Sequence, residues 1–199
     1  MTLPPPRGIR GGSSIKIMNK YIDKSIKLTE HFTLDEMCKT SIKTKEGNIP
    51  SSVHIENLKR LCGWLEALRT RKNQYAKLST PLHTGRGEGE ENDPHLTSPG
   101  GGKQGTPIYI NSGYRSPAVN KAVGGVATSN HLTGCAADIR CTGIEQAIVY
   151  AFHLLMISRD WKEDFDELLV EHNSRTGNYW LHFAVRPKGN RRKIKFINK

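Results

Sequence analysis

Apolar residues recur at helical spacing in two long stretches of the chain, and both are predicted to be helices that pack on a core. The first helix starts at residues 50–52 and ends near Lys72. The second starts at a capping box formed by residues 142–145 and runs to about Ser158. A shorter helix is expected after the N-cap residue Thr33. The predicted buried faces of the long helices are Leu58, Leu61, Cys62, Leu65 and Leu68, and Ile144, Ala147, Ile148, Ala151 and Leu155.

Segments rich in β-branched and aromatic residues alternate with these helices and are predicted to be strands. Turn-forming residues at 174–178 join the last two strands into a hairpin. Such a hairpin would let Glu171 and His182 approach each other across the strands. The predicted strands are residues 107–111, 136–139, 165–171 and 179–185.

The length of 199 residues fits one domain that buries a real core. Residues 1–28 are rich in Pro, Gly, Ser and Lys, and a flexible N-terminal leader is expected there. Residues 29–199 are expected to form a single domain. Glycine, glutamate and proline dominate residues 79–105, which therefore cannot bury a core, and a flexible insertion is predicted at about that place.

The chain is strongly basic, with a formal net charge of +11 and a pI near 9.6. Basic proteins attract polyanions, and the candidates are nucleic acid, anionic lipid and the phosphate-rich polymers of a bacterial wall. The sequence contains no nucleic-acid-binding motif, so nucleic acid is the least favoured partner. A solvated positive surface without a partner explains the charge at least as well.

The N-terminal residues do not resemble a secretory signal, because they lack an apolar segment and a small-residue cleavage site. No apolar run approaches the ~20 residues of a membrane span. The protein is therefore expected to be made in the cytoplasm. Any action on a cell wall would then follow release or export by another route.

A histidine and an aspartate seven positions apart, His131 and Asp138, have the residue types of a metal site. Asp138 interrupts an apolar segment, where a carboxylate is costly unless it is paired or bound to metal. Gly134 between them would let the chain turn, so that both side chains face one point. With His182 they make a three-ligand set, which leaves a catalytic zinc ion one open position. In the alternative interpretation, His131 is a loop residue and Asp138 caps a helix.

The sequence around these residues resembles the zinc D-alanyl-D-alanine carboxypeptidase family. Its clan includes vancomycin-resistance dipeptidases, phage L-alanyl-D-glutamate endolysins and Hedgehog signalling domains. The resemblance covers roughly residues 30–195, interrupted by one insertion. It implies an α+β fold, with helices packed on a small antiparallel sheet, and supports His131, Asp138 and His182 as zinc ligands. The matching motifs are residues 112–117, Asn120, residues 123–125, residues 129–134 and residues 137–139.

Hydrolysis also needs a general base. Dipeptidase relatives place a glutamate three residues before the last histidine, where this chain has Tyr179. Members with the Ser-Gly-Tyr-Arg-Ser-Pro motif carry a glutamate at the end of the preceding strand, and Glu171 matches that place. Glu171 is therefore the predicted base, with Asp166 and Glu167 as weaker candidates. A solvated carboxylate at a strand end is the alternative interpretation of Glu171.

The resemblance also implies residues that contact the substrate. Arg115 is expected to face the cleft, where a guanidinium would stabilise a carbonyl oxyanion or hold a substrate carboxylate. Ser129 is expected to orient the substrate or the loop of His131. Tyr114 and Trp180 are further candidates for substrate binding, and a place in the core is the alternative for Trp180.

These observations predict a zinc metallopeptidase that hydrolyses peptide bonds in peptidoglycan stem peptides, as a D,D-carboxypeptidase or an L,D-endopeptidase. The expected setting is cell-wall lysis of the phage or prophage type, by a monomer. An anionic cell-wall polymer is a candidate second partner. The alternative function is a non-catalytic, zinc-containing module that binds the cell wall, and loss of the glutamate base would favour it.

Overall fold

The computed structural model describes residue 23, residues 25–78 and residues 106–199, which form five helical segments and five strands. From the N-terminus these are α1 (Leu34–Met37), α2 (Ser52–Leu78), β1 (Ile110–Ser112), α3 (Pro117–Ala122), the 3₁₀ helix η1 (Asn130–Thr133), β2 (Ala136–Cys141), α4 (Ile144–Trp161), β3 (Glu167–Asn173), β4 (Asn178–Ala184) and β5 (Lys193–Asn198).

All five strands form one sheet in the order β1-β2-β4-β3-β5. Neighbouring strands are antiparallel, except that β5 runs parallel to β3, so the sheet is mixed. Helices pack against this sheet, and the predicted α+β class is confirmed. Strand β5 was not predicted, because the alternation of Ile194 and Phe196 with polar residues is hidden in a run of basic side chains.

The sheet has an apolar face and a polar face, because successive side chains of a strand point to opposite sides. On the apolar face, α4 packs on β3 and β4, and α2 packs on β2 and α4. Trp64 of α2 lies with its ring 5.4 Å from the ring of Phe183 on β4, and both are fully buried. The polar face is defined here by Asp138 and Arg140 on β2, Trp180 and His182 on β4, and Glu167 and Glu171 on β3.

The sequence predicts two capping boxes, and the structure confirms the N-cap residue of one of them. The backbone N–H of Glu36 donates to the Thr33 hydroxyl at 3.2 Å, which confirms the N-cap of α1. The predicted cap of α4 is wrong, since Gly143 occupies the N-cap position and offers no side-chain hydrogen bond. The Thr142 backbone instead donates to Gln146.

Most of the predicted leader and all of the predicted insertion lie outside the described residues. Residues 79–105 lie outside them altogether, as do residues 1–22. Leu28, placed by the prediction at the end of the leader, is buried in the hydrophobic core. The carbonyl of Ile26 accepts a hydrogen bond from the Leu34 backbone at 2.9 Å, so the packed body includes these residues. Among the described residues, no helix is long and apolar enough to cross a membrane.

A fully buried carboxylate, Asp166, ties the last loop to the sheet just before β3 begins. Arg191 donates to both its oxygens, at 2.8 and 2.7 Å. Arg186 lies 3.0 Å from Oδ2, and the Asn130 amide donates to the same oxygen at 2.8 Å. Burial alone would raise the pKa of Asp166, but these bonds and charges outweigh it and hold the pKa below its ordinary value.

Asp166→Asn should lower the free energy of unfolding at pH 7 by about 3 kcal/mol, the low end for a broken buried pair, because both arginines remain partly hydrated. The pKa of Asp166 is depressed in the folded protein, so its contribution is present above the unfolded value near 3.9. It disappears as the pH falls through the lower, folded value. Urea unfolding at several pH values should show wild type and variant converging at acid pH. A constant difference down to pH 2 would contradict this linkage.

Candidate metal centre

Three potential ligand atoms converge on the polar face of the sheet. His131, Asp138 and His182 are buried, and their ligand atoms all lie within 4.8 Å of one another. Oδ1 of Asp138 stands between the rings, 3.2 Å from His131 Nε2 and 2.9 Å from His182 Nδ1. These side chains could therefore hold one metal ion together, as the sequence predicted.

Secondary structure fixes each ligand. Asp138 and His182 are register partners on the adjacent strands β2 and β4, so their side chains emerge side by side on the same face. His131 comes from η1, which ends at Gly134 with φ 70° in the left-handed region. A Cβ on Gly134 would lie 2.6 Å from the carbonyl oxygen of His54, so this close turn requires glycine.

Each histidine also has an acceptor at its second ring nitrogen. Nδ1 of His131 lies 2.6 Å from the carbonyl oxygen of Gly113. Nε2 of His182 lies 3.5 Å from Oε2 of Glu167. An acceptor there favours the proton on that nitrogen when the ring is neutral. In that form Nε2 of His131 and Nδ1 of His182 each carry a lone pair. These are the two atoms that face Asp138.

The carboxylate of Asp138 is held in the same manner. Its Oδ2 bonds to Nη2 of Arg115, while Nε of Arg115 donates to the Ser112 hydroxyl at 2.8 Å. Oδ1 is left facing the histidines. All three ligands are thus oriented by neighbouring groups, which is the arrangement that metal sites in proteins use.

Electrostatics at the cluster favour positive charge. Burial alone would raise the pKa of Asp138, but the charges and hydrogen bonds of His131 and His182 outweigh it and hold the pKa well below the ordinary value. Burial alone would lower the pKa of His182, but Asp138 and Glu167 raise it to about 9. The carboxylates that attract a proton to His182 would equally attract a divalent cation.

The chemistry of this donor set fits a metal ion that prefers nitrogen and oxygen ligands. Two imidazoles and one carboxylate are the number and type of protein ligands found in catalytic zinc sites. The three ligand atoms lie within 4.8 Å of one another, so one ion could contact all of them. The residues present therefore fit the metal that the sequence predicted.

Glu171, the predicted base, lies on the polar face but not directly opposite His182. Its register partner on β4 is Trp180, whereas Leu169 is the partner of His182. Glu171 is therefore diagonal to His182, and only 6 % of it is exposed. Its Oε2 bonds to Nζ of Lys199, and that ammonium also lies 5.3 Å from the centre of the Trp180 ring. Trp180 is half-buried on the same face.

Two of the predicted substrate-binding residues, Arg115 and Ser129, contact the metal-ligand residues in the structure. Arg115 bonds to Asp138 and Ser112, so its observed contacts hold a ligand, and a role towards substrate stays a prediction. Ser129 is the N-cap of η1, and its hydroxyl accepts from the His131 backbone at 3.3 Å. That contact agrees with an effect on the His131 loop.

Tyr114 is buried in the structure. Only 4 % of it is exposed, and it belongs to the hydrophobic core, with its ring stacked on His54 at 4.9 Å. Its backbone N–H donates to the Met37 carbonyl at 2.7 Å. A role of Tyr114 in substrate binding stays a prediction.

The sequence does not predict the contacts of two groups with the histidine ligands. It favours Glu167 only as a weaker candidate for the base, whereas the structure places Glu167 beside Nε2 of His182. The Gly113 carbonyl accepts from His131, and a sequence does not single out a carbonyl because every residue has one. Its glycine carries a hint, since a Cβ there would lie 2.3 Å from the Met37 carbonyl oxygen.

A cavity of about 390 Å³ lies beside the metal-ligand cluster and is not lined by any of the three ligands. Ser129 and Asn130, the two residues before His131, form part of its wall. Arg186 and Lys188 give its rim positive charge. The cavity is large enough for a small-molecule group, and it reaches the 3₁₀ helix that carries His131.

A comparison with protein families identifies the segment that contains His131 and Asp138. A family model described as Peptidase M15 matches residues 101–169, which include both of these ligands and exclude His182. The matched part of the chain is similar to the M15 peptidases. The match confirms the resemblance predicted from the sequence. Among curated proteins, none matches the chain.

The family match supports a peptidase. The third ligand, His182, comes from outside the matched segment and is brought to the other two by the pairing of β2 with β4. The buried His131–Asp138–His182 cluster is the group of side chains that could bind a metal ion.

Proposed function

We propose that the chain is a zinc metallopeptidase that hydrolyses peptide bonds in peptidoglycan stem peptides, as a D,D-carboxypeptidase or an L,D-endopeptidase. The observation that carries this proposal is the convergence of His131 Nε2, Asp138 Oδ1 and His182 Nδ1 within a chain that matches a peptidase family. Three ligands from rigid elements leave room for a fourth, catalytic position.

His131, Asp138 and His182 would hold the zinc ion. Bound there, zinc would act as a Lewis acid, which polarises the scissile carbonyl and makes a water molecule more acidic. Arg115 keeps the second oxygen of Asp138 occupied, so Oδ1 remains directed at the histidines. The Gly113 carbonyl keeps the lone pair of His131 on Nε2.

Glu171 is proposed as the general base and acid. Its carboxylate lies on the same face as His182, diagonally across the β3–β4 pair, and is proposed to accept the proton of the attacking water. The same oxygen atoms then pass the proton to the leaving amine. Lys199 bonds to Oε2 of this carboxylate and orients it.

The substrate class follows from the family resemblance together with the charge. A net charge of +11 favours residence on the polyanionic bacterial wall, where stem peptides occur. An anionic wall polymer would then be a second partner, bound through exposed cations. We propose action on the wall after release or export, in lysis of the phage or prophage type.

Purified protein should cleave muropeptides, and a chelator should abolish the cleavage. Incubation with purified muropeptides, followed by mass analysis of the products, measures the activity and shows whether D-Ala-D-Ala, L-Ala-D-Glu or a cross-bridge is cut. Zinc added back after removal of the chelator should restore the activity. Elemental analysis of the same sample should give about one zinc per chain.

The control is the same sample after treatment with a chelator already saturated with zinc, which should leave cleavage unchanged. Cleavage that persists without metal would contradict the zinc mechanism. A protein that holds zinc and binds muropeptides without cleaving them would support the alternative, a non-catalytic wall-binding module.

A further inference from the structure

We infer that Glu167 is a positioning residue that fixes the orientation and tautomer of His182. This inference rests on the proposed metal function of His182. Glu167 lies on β3 at the polar face, and its Oε2 is 3.5 Å from His182 Nε2. That nitrogen is on the opposite side of the ring from Nδ1, the atom directed at Asp138. Glu167 therefore lies behind the ring of His182, on the side away from Asp138.

This placement also removes Glu167 from the candidates for the general base. A base must reach the water that attacks the substrate, in front of the ligand atoms. Glu167 contacts the far nitrogen of His182, so the imidazole ring separates its carboxylate from the other ligand atoms.

The carboxylate of Glu167 is itself held from three directions. Lys193 of β5 donates to Oε1 at 2.9 Å, and Nη2 of Arg191 lies 3.0 Å from the same oxygen. The Asn130 amide donates to Oε2 at 2.9 Å. Only 14 % of the Glu167 side chain is exposed. A carboxylate with this many partners has one position, so it can fix the ring that it contacts.

Asn130 links Glu167 to the segment that carries His131. It is the residue before His131 in η1, it is buried, and its amide donates to Glu167 and to Asp166. The segment that carries His131 and the carboxylate that backs His182 are thus joined by one side chain. A shift of Glu167 would disturb the spacing of the two imidazoles.

A carboxylate behind a histidine keeps the proton on the far nitrogen and makes the near nitrogen a stronger ligand. Removal of such a partner lowers metal affinity by about 10–100-fold in known sites. Glu167→Ala should weaken zinc binding by about this factor. Glu167→Gln retains an acceptor oxygen without the charge and should lose less affinity than the alanine variant.

The experiment is a zinc titration of metal-free protein against a chromophoric chelator, for wild type, Glu167→Ala, Glu167→Gln and the control Glu163→Gln. Glu163 is exposed in the loop after α4, and the structure shows only its backbone in hydrogen bonds. Its substitution should leave affinity unchanged. The absorption spectrum of Co²⁺-loaded protein adds a readout of ligand geometry, and it should change in the Glu167 variants alone.

Urea unfolding of each metal-free variant identifies any loss of fold. If Glu167→Ala fails to fold, the glutamine variant carries the test. Wild-type zinc affinity in folded Glu167 variants would overturn the positioning role and leave the proposed function intact. Failure of wild-type protein itself to bind zinc would instead overturn the proposed function, and this inference with it.

Discussion

Glu171→Gln should lower the turnover of a cleavable muropeptide by ~10²–10⁴-fold, the usual contribution of a positioned acid–base group. The substitution keeps the shape of the side chain and removes its basicity. Zinc should remain bound, because Glu171 is not one of the three converging ligands. Initial rates with saturating substrate, measured beside zinc content by elemental analysis, check both expectations.

Glu56→Gln is the matched control for this prediction. Glu56 is exposed on α2 and pairs with Lys59 at 2.8 Å, a surface contact that contributes little. Its substitution should leave turnover unchanged. If Glu171→Gln itself retains near-wild-type turnover, the base lies elsewhere in the chain, and the assignment made here is wrong.

His131→Ala and His182→Ala should each empty the metal site. A site with two protein ligands cannot hold zinc as tightly as one with three. Zinc content should fall from about one per chain to near zero after dialysis, and cleavage should disappear with it. Elemental analysis of dialysed protein measures the first effect, and muropeptide digestion the second.

His172→Ala provides the comparison. His172 is on β3, and its ring stacks on Tyr179 at 4.3 Å, away from the ligand cluster. This variant should keep its zinc. Full zinc occupancy in either His131→Ala or His182→Ala would exclude that residue as a ligand, whatever the activity shows.

The parts of the site that were predictable are close together in sequence or follow strand alternation. His131 and Asp138 belong to one motif with a turn glycine between them, so local chain geometry nearly determines their approach. His182 needed only a hairpin and the resemblance. These predictions depended on short-range rules, which a sequence shows directly.

The contacts that the sequence did not predict depend on how the strands of the sheet pair. Glu171 is opposite Trp180 because β3 and β4 pair in one particular register, and a hairpin pattern alone does not fix that register. Glu167 reaches His182 through the same register. The parallel pairing of β5 brings Lys193 to Glu167, and a basic tail gives no indication of it.

Burial likewise escaped prediction where a residue has both polar and apolar parts. Tyr114 follows a motif glycine and has a hydroxyl, so a substrate-binding role was reasonable. Its side chain is nevertheless buried in the hydrophobic core, and its backbone N–H donates to the Met37 carbonyl. Arg115 carries a charge that suits a substrate, and the contact that the structure shows for it is with Asp138.

The strand order has a consequence for how the molecule folds. β3 and β4 form a hairpin through a short turn, whereas β2 and β4 pair residues 44 positions apart, as in Asp138 with His182. Closing that longer loop carries the greater entropic cost. Asp138 and His182 lie on these two strands, so an ion bound to both would cross-link β2 and β4. Chelation should therefore accelerate amide hydrogen exchange first between β2 and β4, while the β3–β4 hairpin stays protected.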